Sequence, residues 1–466
     1  MKKSFLIILL ALFWSLNLWS QKDTSTITLL HINDLHAKIN RFPQLKHVID
    51  SIKNERKEDV FLVSSGDLFS GNPFVDQYTE RGKPIIDLMN ELHFDVSELG
   101  NHDFDYGQAV LEQRMKEASF PMICANIDVS GSPLTQPKPY VVLKTSKGIE
   151  IAILGLLQIS DNGIPDSHPD NFKNLKFTTP EKAIQTYKKT FKSYDIKIAL
   201  THLGYKRDEA LAKKNQWLDL IIGGHSHTEL SPPLKAGRVS ILQAGHDVKF
   251  LGVATLTMVG HRIVKIEDQL IPLKFQPKDS LTYQKVKDYS KNPEFQKEIA
   301  ELPYALESAE EIGTLMAEAY KEGLNADIAF QNIGGVRLDK MNEGVFKNLD
   351  IMFLDPFNNE ILTFDMTQKE LLSFLRFAFT VRHKNNQLMA GLQAEFITDE
   401  EGNLTDIKLK DSQGNPLPEN KIYKVAINSY MASSYDFSAK DKAQHTGLFS
   451  NDLLIEYFKK HFPIGK

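Results

Sequence analysis

The chain has 466 residues, of which 42% are hydrophobic and 25% charged, a composition typical of globular proteins and unlike that of disordered or fibrous ones. Its formal net charge of −5 and its lack of a basic tract argue against binding to a nucleic-acid backbone. The single cysteine, Cys124, excludes an intrachain disulfide, so stability must come from packing and from bound metal.

The first twenty residues have the pattern of an export signal. Lys2 and Lys3 precede an apolar run at residues 5–14, and the small residue Ser20 marks a plausible cleavage point. The run is too short for a convincing membrane span, although a retained anchor is the alternative. We therefore expect a signal peptide at residues 1–20, no membrane span after cleavage near Ser20, and a periplasmic or secreted protein. Loss of the two lysines changes the net charge from −5 to −7.

Short apolar runs alternate with helical stretches through the first half of the chain. Strands are predicted at residues 27–32, 60–63, 94–99, 151–157, 196–200 and 218–222, and helices at residues 43–56, 84–92, 107–118 and 180–194. Such continuous apolar runs indicate a mixed sheet with covered faces. Ligands of α/β sheets collect beyond the carboxyl ends of strands, where five of these runs end in a polar cluster.

The second half begins with a charged segment. Residues 274–302 are poor in strand signals and are interpreted as a linker with helical portions. Beyond it we predict helices at residues 310–321 and 367–379 and strands at residues 327–330, 360–364, 394–397 and 424–427. The second helix begins with a capping box formed by Thr367 and Glu370. The predicted division is a first domain at 25–272, a linker at 273–305 and a second domain at 306–466.

Candidate metal ligands occur in the five polar clusters. They are Asp34, His36, Asp67, Asn101, His202, His225 and His227. Residues two apart in extended backbone point to the same face, which pairs Asp34 with His36 and His225 with His227. If the Asp67 carboxylate bridges, the set supplies two four-ligand sites. Two ions roughly 3.5–4 Å apart form the clamp used for in-line displacement at phosphorus, and nitrogen and oxygen ligands are compatible with Zn, Mn, Fe or Co.

The chain resembles the calcineurin-like metallophosphoesterase superfamily in five motifs that occur in the family's order. They are Asp34-Leu35-His36, Gly66-Asp67, Gly100-Asn101-His102-Asp103, His202 and Gly224-His225-Ser226-His227. The resemblance implies a four-layer α/β/β/α sandwich. It places Asp34, His36, Asp67 and His227 at one ion and Asp67, Asn101, His202 and His225 at the other.

Two residues of the third motif have a different implied role. By the same resemblance, His102 is not a ligand but stabilises the charge that develops on the phosphoryl group or the leaving oxygen. Asp105 would orient His102, as an acidic partner fixes the tautomer of an imidazole. The adjacent Asp103 is the polar residue of the motif to which we assign no role.

From about residue 308 the chain resembles the C-terminal substrate domain of bacterial and animal 5′-nucleotidases. The resemblance is carried by residues 312–313, 332–337, 355–359 and 428–436. It implies a smaller α+β domain whose substrate-binding residues are Asn332, Gly334, Gly335, Arg337, Tyr430 and Asp436. Glycine lets backbone approach a bulky ligand, and a guanidinium forms a bidentate fork with phosphate or carboxylate.

The resemblance is incomplete at the base-binding residues. The family usually holds the base between two aromatic rings, and Tyr430 matches one of them. Residues 386–391, where the other is expected, contain no ring, and residues 306–310 lack the family's additional arginine. The Gly-Gly-Asp-Gly turn appears as Ser433-Ser434-Tyr435-Asp436. Since stacking on one ring is worth about 1–3 kcal/mol, the chemistry is better predicted than the substrate.

The expected function is hydrolysis of nucleoside 5′-monophosphates or related nucleotides to nucleoside and phosphate by an exported two-metal phosphoesterase. The expected partner is a small-molecule phosphate ester rather than a nucleic acid polymer, and the protein is a monomer or homodimer. Alternatives with the same site are hydrolysis of UDP-sugars, of 2′,3′-cyclic nucleotides or of a sulfur ester. An alternative of another class is a non-catalytic periplasmic ligand-binding protein. His246, outside the motifs, is expected at the surface or in the core, with the lining of the pocket as the alternative.

Overall fold

The computed structural model of the chain describes residues 24–56, 58–274, 280–382 and 385–465. The predicted signal peptide, with Ser20, and part of the predicted linker lie outside these ranges. One compact unit contains the described residues up to Leu68, Ile85–Asp166 and Asn174–Gln284. The other contains Phe69–Pro84, Ser167–Lys173 and the chain from Lys285 onward. Within the described ranges, every helix is too short or too polar to cross a lipid bilayer.

The strands of the described residues are β1 (Thr24–Ile32), β2 (Asp59–Ser64), β3 (Val96–Glu98), β4 (Met122–Ile123), β5 (Ile127–Asp128), β6 (Tyr140–Lys144), β7 (Glu150–Leu157), β8 (Lys176–Phe177), β9 (Ile196–His202), β10 (Leu220–Ile222), β11 (Leu234–Ala236), β12 (Val239–Leu242), β13 (Phe250–Val259), β14 (Arg262–Pro272), β15 (Glu298–Leu302), β16 (Ile328–Asn332), β17 (Gly344–Lys347), β18 (Ile361–Thr367), β19 (Gln387–Ala390), β20 (Gln393–Thr398), β21 (Leu404–Lys410) and β22 (Ile422–Asn428).

The α-helices are α1 (Phe42–Glu55), α2 (Pro73–Asp76), α3 (Lys83–Glu91), α4 (Gln108–Glu117), α5 (Pro180–Phe191), α6 (Tyr205–Lys214), α7 (Ser280–Tyr289), α8 (Ala309–Gly323), α9 (Asn348–Leu354), α10 (Gln368–Arg382), α11 (Ser429–Ser434) and α12 (Ser450–His461). Two short 3₁₀ helices bear on function, Asn101–Phe104 and Ile333–Gly335.

The first unit is built from two six-stranded sheets. Their strand orders are β14-β13-β1-β2-β3-β4 and β11-β12-β10-β9-β7-β6. Strands β1 to β4 run parallel, as do β12, β10, β9 and β7, so the carboxyl ends of these strands meet at one edge of each sheet. Residues of both sheets, among them Leu29, Val63, Ile153 and Leu200, share one buried cluster between the sheets.

Helices cover the outer faces of the two sheets. Residues of β7 that point away from the inner cluster, such as Leu154, pack with Ile184 of α5 and Leu211 of α6. Helices α1 and α3 bury apolar residues including Leu45 and Ile86. This arrangement confirms the predicted mixed α/β fold, a four-layer α/β/β/α sandwich, because continuous apolar strands need cover on both faces.

The second unit has a four-stranded sheet in the order β18-β22-β16-β19. One face packs Ala329 and Ala426 against α8 and α12, and the other packs Phe330 against Phe374 of α10. The predicted capping box is confirmed, since the backbone N–H of Thr367 donates to Glu370 Oε2 at 2.8 Å. The smaller α+β unit is therefore as predicted.

Several boundaries differ from the prediction. The β13–β14 hairpin was not predicted, because charged residues interrupt the apolar residues of β14 and Gly252, Thr255 and Thr257 interrupt those of β13. Part of the predicted linker forms β15, which pairs with β17 of the second unit. Phe69–Pro84 and Ser167–Lys173, within the predicted first domain, also belong to the second unit. Long-range packing of this kind leaves no local sequence signal.

Asp355, at the end of α9, gives the second unit a pH-dependent stability. Burial raises the pKa of its carboxyl from 3.8 to about 6, although Ser450 Oγ and the backbone N–H of Asn358 donate to it. Folding therefore favours the protonated form. The associated stabilisation is complete below about pH 3.8 and is lost as the pH rises through about 6.

We expect Asp355→Asn to remove this dependence. The free energy of unfolding of the variant, relative to the unsubstituted protein, should rise by about 1.5 kcal/mol between about pH 5 and about pH 8, at ~1.4 kcal/mol per pKa unit. Denaturant titrations at both pH values measure the difference. Asp452→Asn is the matched control, because Asp452 lies exposed in the first turn of α12. If the free energy of unfolding of Asp355→Asn, relative to the unsubstituted protein, is the same at both pH values, the prediction is wrong.

Candidate metal centre

The loops that follow the parallel strands of the first unit have unusual backbone conformations. Five of the seven candidate ligands have positive φ, namely Asp34 (49°), His36 (43°), Asp67 (52°), His225 (75°) and His227 (56°). Only a few per cent of residues other than glycine adopt this left-handed region, and those that do cluster at functional sites. The backbone is therefore bent at these positions to turn the side chains toward one another.

One group of ligand atoms is formed by Asp34, His36 and His227. His36 Nε2 lies 3.1 Å from His227 Nε2, and His227 Nε2 lies 3.4 Å from Asp34 Oδ1. One donor atom from each of the three residues falls within 4.8 Å of the others. Asp67 Oδ2 lies 3.9 Å from His36 Nε2, so this carboxylate borders the group.

A second group is formed by Asp67, Asn101, His202 and His225. Asn101 Oδ1 lies 3.1 Å from His202 Nε2 and 3.0 Å from His225 Nδ1. Asp67 Oδ2 lies 3.1 Å from His202 Nε2. Asp67 therefore borders both groups, and the structure brings together all seven residues singled out by the sequence.

Neighbouring polar groups orient these ligands. The Asn33 side-chain amide donates to Asp34 Oδ2 at 2.6 Å, and the backbone N–H of His225 donates to both oxygens of Asp34 at 3.0 Å. His202 Nδ1–H donates to the Ser65 carbonyl at 2.6 Å, which fixes the tautomer and directs Nε2 into the centre. These hydrogen bonds orient the donor atoms of Asp34 and His202.

Glycine permits the close approach of the Asp67 and Asn101 loops. A Cβ on Gly100 would lie 2.2 Å from both the backbone nitrogen and Oδ1 of Asp67. Gly66 has a φ of +81°, and a Cβ there would lie 2.6 Å from the nitrogen of Gly100. Any side chain at these positions would separate the two loops.

The centre is electrostatically suited to cations. Burial opposes ionisation of Asp67, but His202, His102 and His36 outweigh it and hold the pKa of that carboxyl well below its usual range. Burial also opposes protonation of His202, but the Asp67 and Asp34 carboxylates raise its pKa to about 10. Burial and the nearby His202 lower the pKa of His225 to about 4. A divalent ion would displace the His202 proton, so ion binding releases protons.

The residues present fit divalent metal ions. Their donors are imidazole nitrogens, carboxylate oxygens and an amide oxygen, which suit first-row divalent ions. The donor atoms of Asp34, Asp67 and His202 lie within 4.8 Å of one another, as do those of Asp34, His36 and His227. The two sets overlap at Asp34, and both offer donors suited to a divalent ion.

His102 lies beside the ligands and is paired with Asp105. His102 Nδ1–H donates to Asp105 Oδ2 at 2.7 Å, and the His102 and His36 ring centroids are 5.3 Å apart. The backbone N–H of His102 donates to Asp67 Oδ1 at 2.8 Å. Its side chain is 19% exposed, so a ligand entering from solvent can reach it.

Asp103 has a structural position in the same loop. Its carboxylate accepts the backbone N–H groups of Leu68 at 2.8 Å and Gly100 at 2.7 Å. Burial and the nearby Asp67 carboxylate raise the pKa of Asp103 to about 7. Asp103 therefore joins the Asp67 and Asn101 loops and does not contribute to the two groups of ligand atoms.

The candidate substrate residues lie in the second unit. Asn332 ends β16, Gly334 and Gly335 follow it in a 3₁₀ turn, and a Cβ on Gly335 would lie 2.4 Å from Gln331 Nε2. The Arg337 guanidinium lies 5.8 Å from the centroid of the Phe357 ring.

Tyr430 and Asp436 stand in and after the short helix α11. Tyr430 is half-buried in this helix, and Asp436 is exposed beyond its end. Asn428 caps α11 by accepting the Met431 N–H at 2.9 Å, and its side-chain amide donates to Asn332 Oδ1 at 2.9 Å. Asn428 thus joins the Asn332 turn to the helix that carries Tyr430.

Residues missed by the sequence prediction include Gln387 and His246. Gln387 pairs with Asn332 in the β16–β19 register, is 2% exposed and places its amide 3.1 Å from the Tyr435 hydroxyl. It occupies the segment in which the second aromatic ring is lacking. His246 stacks on His227 in the metal centre. Neither residue stands in a recognisable motif, so only side-chain placement reveals it.

Comparisons with known proteins agree with this architecture. Residues 27–229 match the calcineurin-like phosphoesterase family, and residues 296–439 match the 5′-nucleotidase C-terminal domain. Protein UshA of Yersinia enterocolitica is 26% identical over 96% of this chain and 93% of its own length. The 5′-nucleotidase of Vibrio parahaemolyticus is 27% identical over 96% of this chain and 91% of its own length.

A solved structure extends the likeness to the fold. The crystal structure of the 5′-nucleotidase precursor from Thermus thermophilus has a TM-score of 0.81 at 23% identity, and the match covers 94% of this chain and 96% of that one. The family matches and the solved structure thus contain the same two domains in the same order as this chain. The chain thus combines a calcineurin-like phosphoesterase domain with a 5′-nucleotidase C-terminal domain and is a metal-dependent phosphoric ester hydrolase.

Proposed function

We propose that this chain hydrolyses nucleoside 5′-monophosphates or related nucleotides to nucleoside and phosphate, using two divalent ions. The observation that carries the proposal is the convergence of the seven candidate ligands, in which Asp67 Oδ2 lies 3.9 Å from His36 Nε2 and 3.1 Å from His202 Nε2. Relatives named 5′-nucleotidase support the nucleotide substrate. The non-catalytic alternative has less support, because a mere binding protein would not require the complete ligand set beside His102 and Asp105.

In this proposal the first unit performs the chemistry. Bound ions would polarise phosphoryl oxygens and activate the attacking water. Asp34, His36, Asp67 and His227 would hold one ion, and Asp67, Asn101, His202 and His225 would hold the other. His102 would act at the phosphoryl group or the leaving oxygen through Nε2, because Nδ1 is committed to Asp105.

Asp105→Asn is expected to lower kcat by about 10- to 100-fold with little change in KM. The amide can still accept the Nδ1–H of His102 but lacks the charge that stabilises an imidazolium. Steady-state kinetics with saturating metal measure the effect. Asp195→Asn is a matched control, since Asp195 Oδ1 holds the exposed His261 at 2.9 Å. A kcat equal to that of the control would show that Asp105 is dispensable.

The second unit would hold the organic part of the substrate through Asn332, Gly334, Gly335, Arg337, Tyr430 and Asp436. Gln387 is buried in the segment where the second aromatic ring is lacking. For this reason we keep a second candidate function, hydrolysis of UDP-sugars or 2′,3′-cyclic nucleotides with the same metal centre. An amide cannot replace the stacking surface of a ring, so selection for a nucleobase would rest on Tyr430.

A substrate panel tests the proposal. Protein stripped of metal by a chelator and reloaded with Mn²⁺ or Zn²⁺ is supplied with AMP, UDP-glucose, 2′,3′-cyclic AMP and p-nitrophenyl phosphate. Chromatography of the products measures the hydrolysis of each substrate. Fastest hydrolysis of AMP to adenosine and phosphate supports the nucleotidase function, and faster hydrolysis of UDP-glucose or 2′,3′-cyclic AMP supports the second candidate. Absence of hydrolysis of all four, with tight nucleotide binding, favours the binding protein.

The proposed location is the periplasm or the exterior of the cell. It is supported by the signal-peptide pattern of residues 1–20. The proposal includes a monomer or homodimer that acts on a small-molecule phosphate ester and not on a nucleic acid polymer. Mass spectrometry of the exported protein tests the proposal. The expected result is a mature N-terminus near Gln21, and an intact Met1–Ser20 segment would contradict it.

A further inference from the structure

His246 lies against the metal centre. Its ring stacks on that of His227 with centroids 4.5 Å apart and an interplanar angle of 14°. Both ring nitrogens have partners, because Lys249 Nζ donates to Nε2 at 2.9 Å and Asp247 Oδ2 lies 3.3 Å from Nδ1. The His246 ring is therefore held flat against the face of a candidate metal ligand.

The loop that carries His246 forms backbone hydrogen bonds with the loop of Asp34 and with the loop of His227. The backbone N–H of Asp247 donates to the Asp34 carbonyl at 2.7 Å, and that of Gly245 donates to the Thr228 carbonyl at 3.1 Å. The loop also holds Val248 at a φ of 56°, which is a genuine outlier for a β-branched residue. The position of His246 is therefore fixed by contacts with the loops that carry Asp34 and His227.

His227 is the ligand that needs such support. Of the four side chains proposed to hold this ion, those of Asp34, His36 and Asp67 are at most 2% exposed, whereas that of His227 is 34% exposed. Buried ligands are held by their surroundings, but an exposed ring can rotate away from an ion. His36 touches His227 edge-on, with centroids 5.0 Å apart, and His246 covers a face.

We propose that His246 is a positioning residue that holds the His227 ring and thereby sets the affinity of the ion bound by Asp34, His36 and His227. The inference rests on the proposed metal ligands and not on the identity of the substrate. Residues that orient a ligand commonly change metal affinity by about 10- to 100-fold when replaced. His246 touches one ligand group, so its effect falls on one ion.

The test is a titration of metal-stripped protein with Mn²⁺, in which electron paramagnetic resonance measures the free ion. His246→Ala should weaken one of two binding events about tenfold and leave the other unchanged. His246→Phe keeps a flat ring and should remain within about threefold of the unsubstituted protein. His261→Ala, which removes an exposed histidine paired with Asp195, should not differ from it.

The results that would overturn the role of His246 differ from those that would count against the proposed function. Unchanged binding by His246→Ala, with two ions bound by the unsubstituted protein, overturns the inference and leaves the proposed function standing. A His246→Phe variant that binds one ion instead of two would make His246 a ligand, and equal weakening of both ions would indicate general loss of structure. Either result overturns the positioning role. Two ions bound without hydrolysis of any substrate would count against the proposed function alone.

Discussion

Asp67→Ala is expected to abolish binding of both metal ions and to lower hydrolysis at least about 1000-fold. Asp67 borders both groups of ligand atoms, at 3.9 Å from His36 Nε2 and 3.1 Å from His202 Nε2. Removing Asp67 takes one carboxylate ligand from each of the two proposed sites. Loss of the ions forfeits several kcal/mol of charge stabilisation, and ~4 kcal/mol corresponds to about 1000-fold in rate.

Metal content by elemental analysis and phosphate release measure this prediction together. Asp67→Asn, which keeps an oxygen to accept the His102 backbone N–H, guards against a folding defect in the alanine variant. Asp50→Ala is the control, because Asp50 pairs with Lys46 on the surface of α1. Two ions retained by a folded Asp67→Ala protein would contradict the shared role of Asp67.

His102→Ala is expected to lower kcat by about 100- to 10,000-fold while both ions remain bound. The His102 side chain is not among the convergent ligand atoms, but its ring lies 5.3 Å from that of His36 and is oriented by Asp105. Its proposed work is at the departing oxygen, so the loss should be smaller for p-nitrophenyl phosphate, whose leaving group needs less assistance.

Steady-state kinetics with AMP and p-nitrophenyl phosphate, beside metal analysis, test this role. His47→Ala on α1, where His47 is exposed, is the matched control. Loss of an ion from His102→Ala would reassign His102 as a ligand. Equal losses for the two substrates would place its action on the phosphoryl group and not on the leaving oxygen.

Together these variants separate chemistry from substrate choice. Asp67 and His102 belong to the first unit, whereas the candidate substrate residues belong to the second. A variant of the metal centre should therefore affect every ester in the panel. Differences in KM among the esters for the unsubstituted protein would instead reflect the second unit, where Gln387 lies in the segment that lacks the expected ring.

The sequence was sufficient for much of the fold because its signals are local. The continuous run at residues 27–32 predicted β1, and the Thr367–Glu370 pair predicted the start of α10. The β13–β14 hairpin was missed, because threonines interrupt the apolar residues of β13 and charged residues interrupt those of β14. The assignment of Phe69–Pro84 to the second unit depends on contacts between distant parts of the chain.

For the site, the sequence by itself determined the kinds of side chain available and the strand ends at which they stand. Five polar clusters after apolar runs predicted one centre, since parallel strands present their carboxyl ends at a common edge. Only the tertiary structure gave the distances from Asp67 to His36 and His202, and only it showed that Asp103 joins the Asp67 and Asn101 loops and that His246 covers His227. The physical reason is that motif spacing specifies backbone position, whereas distances between rings and carboxylates depend on left-handed turns and side-chain rotamers set by packing.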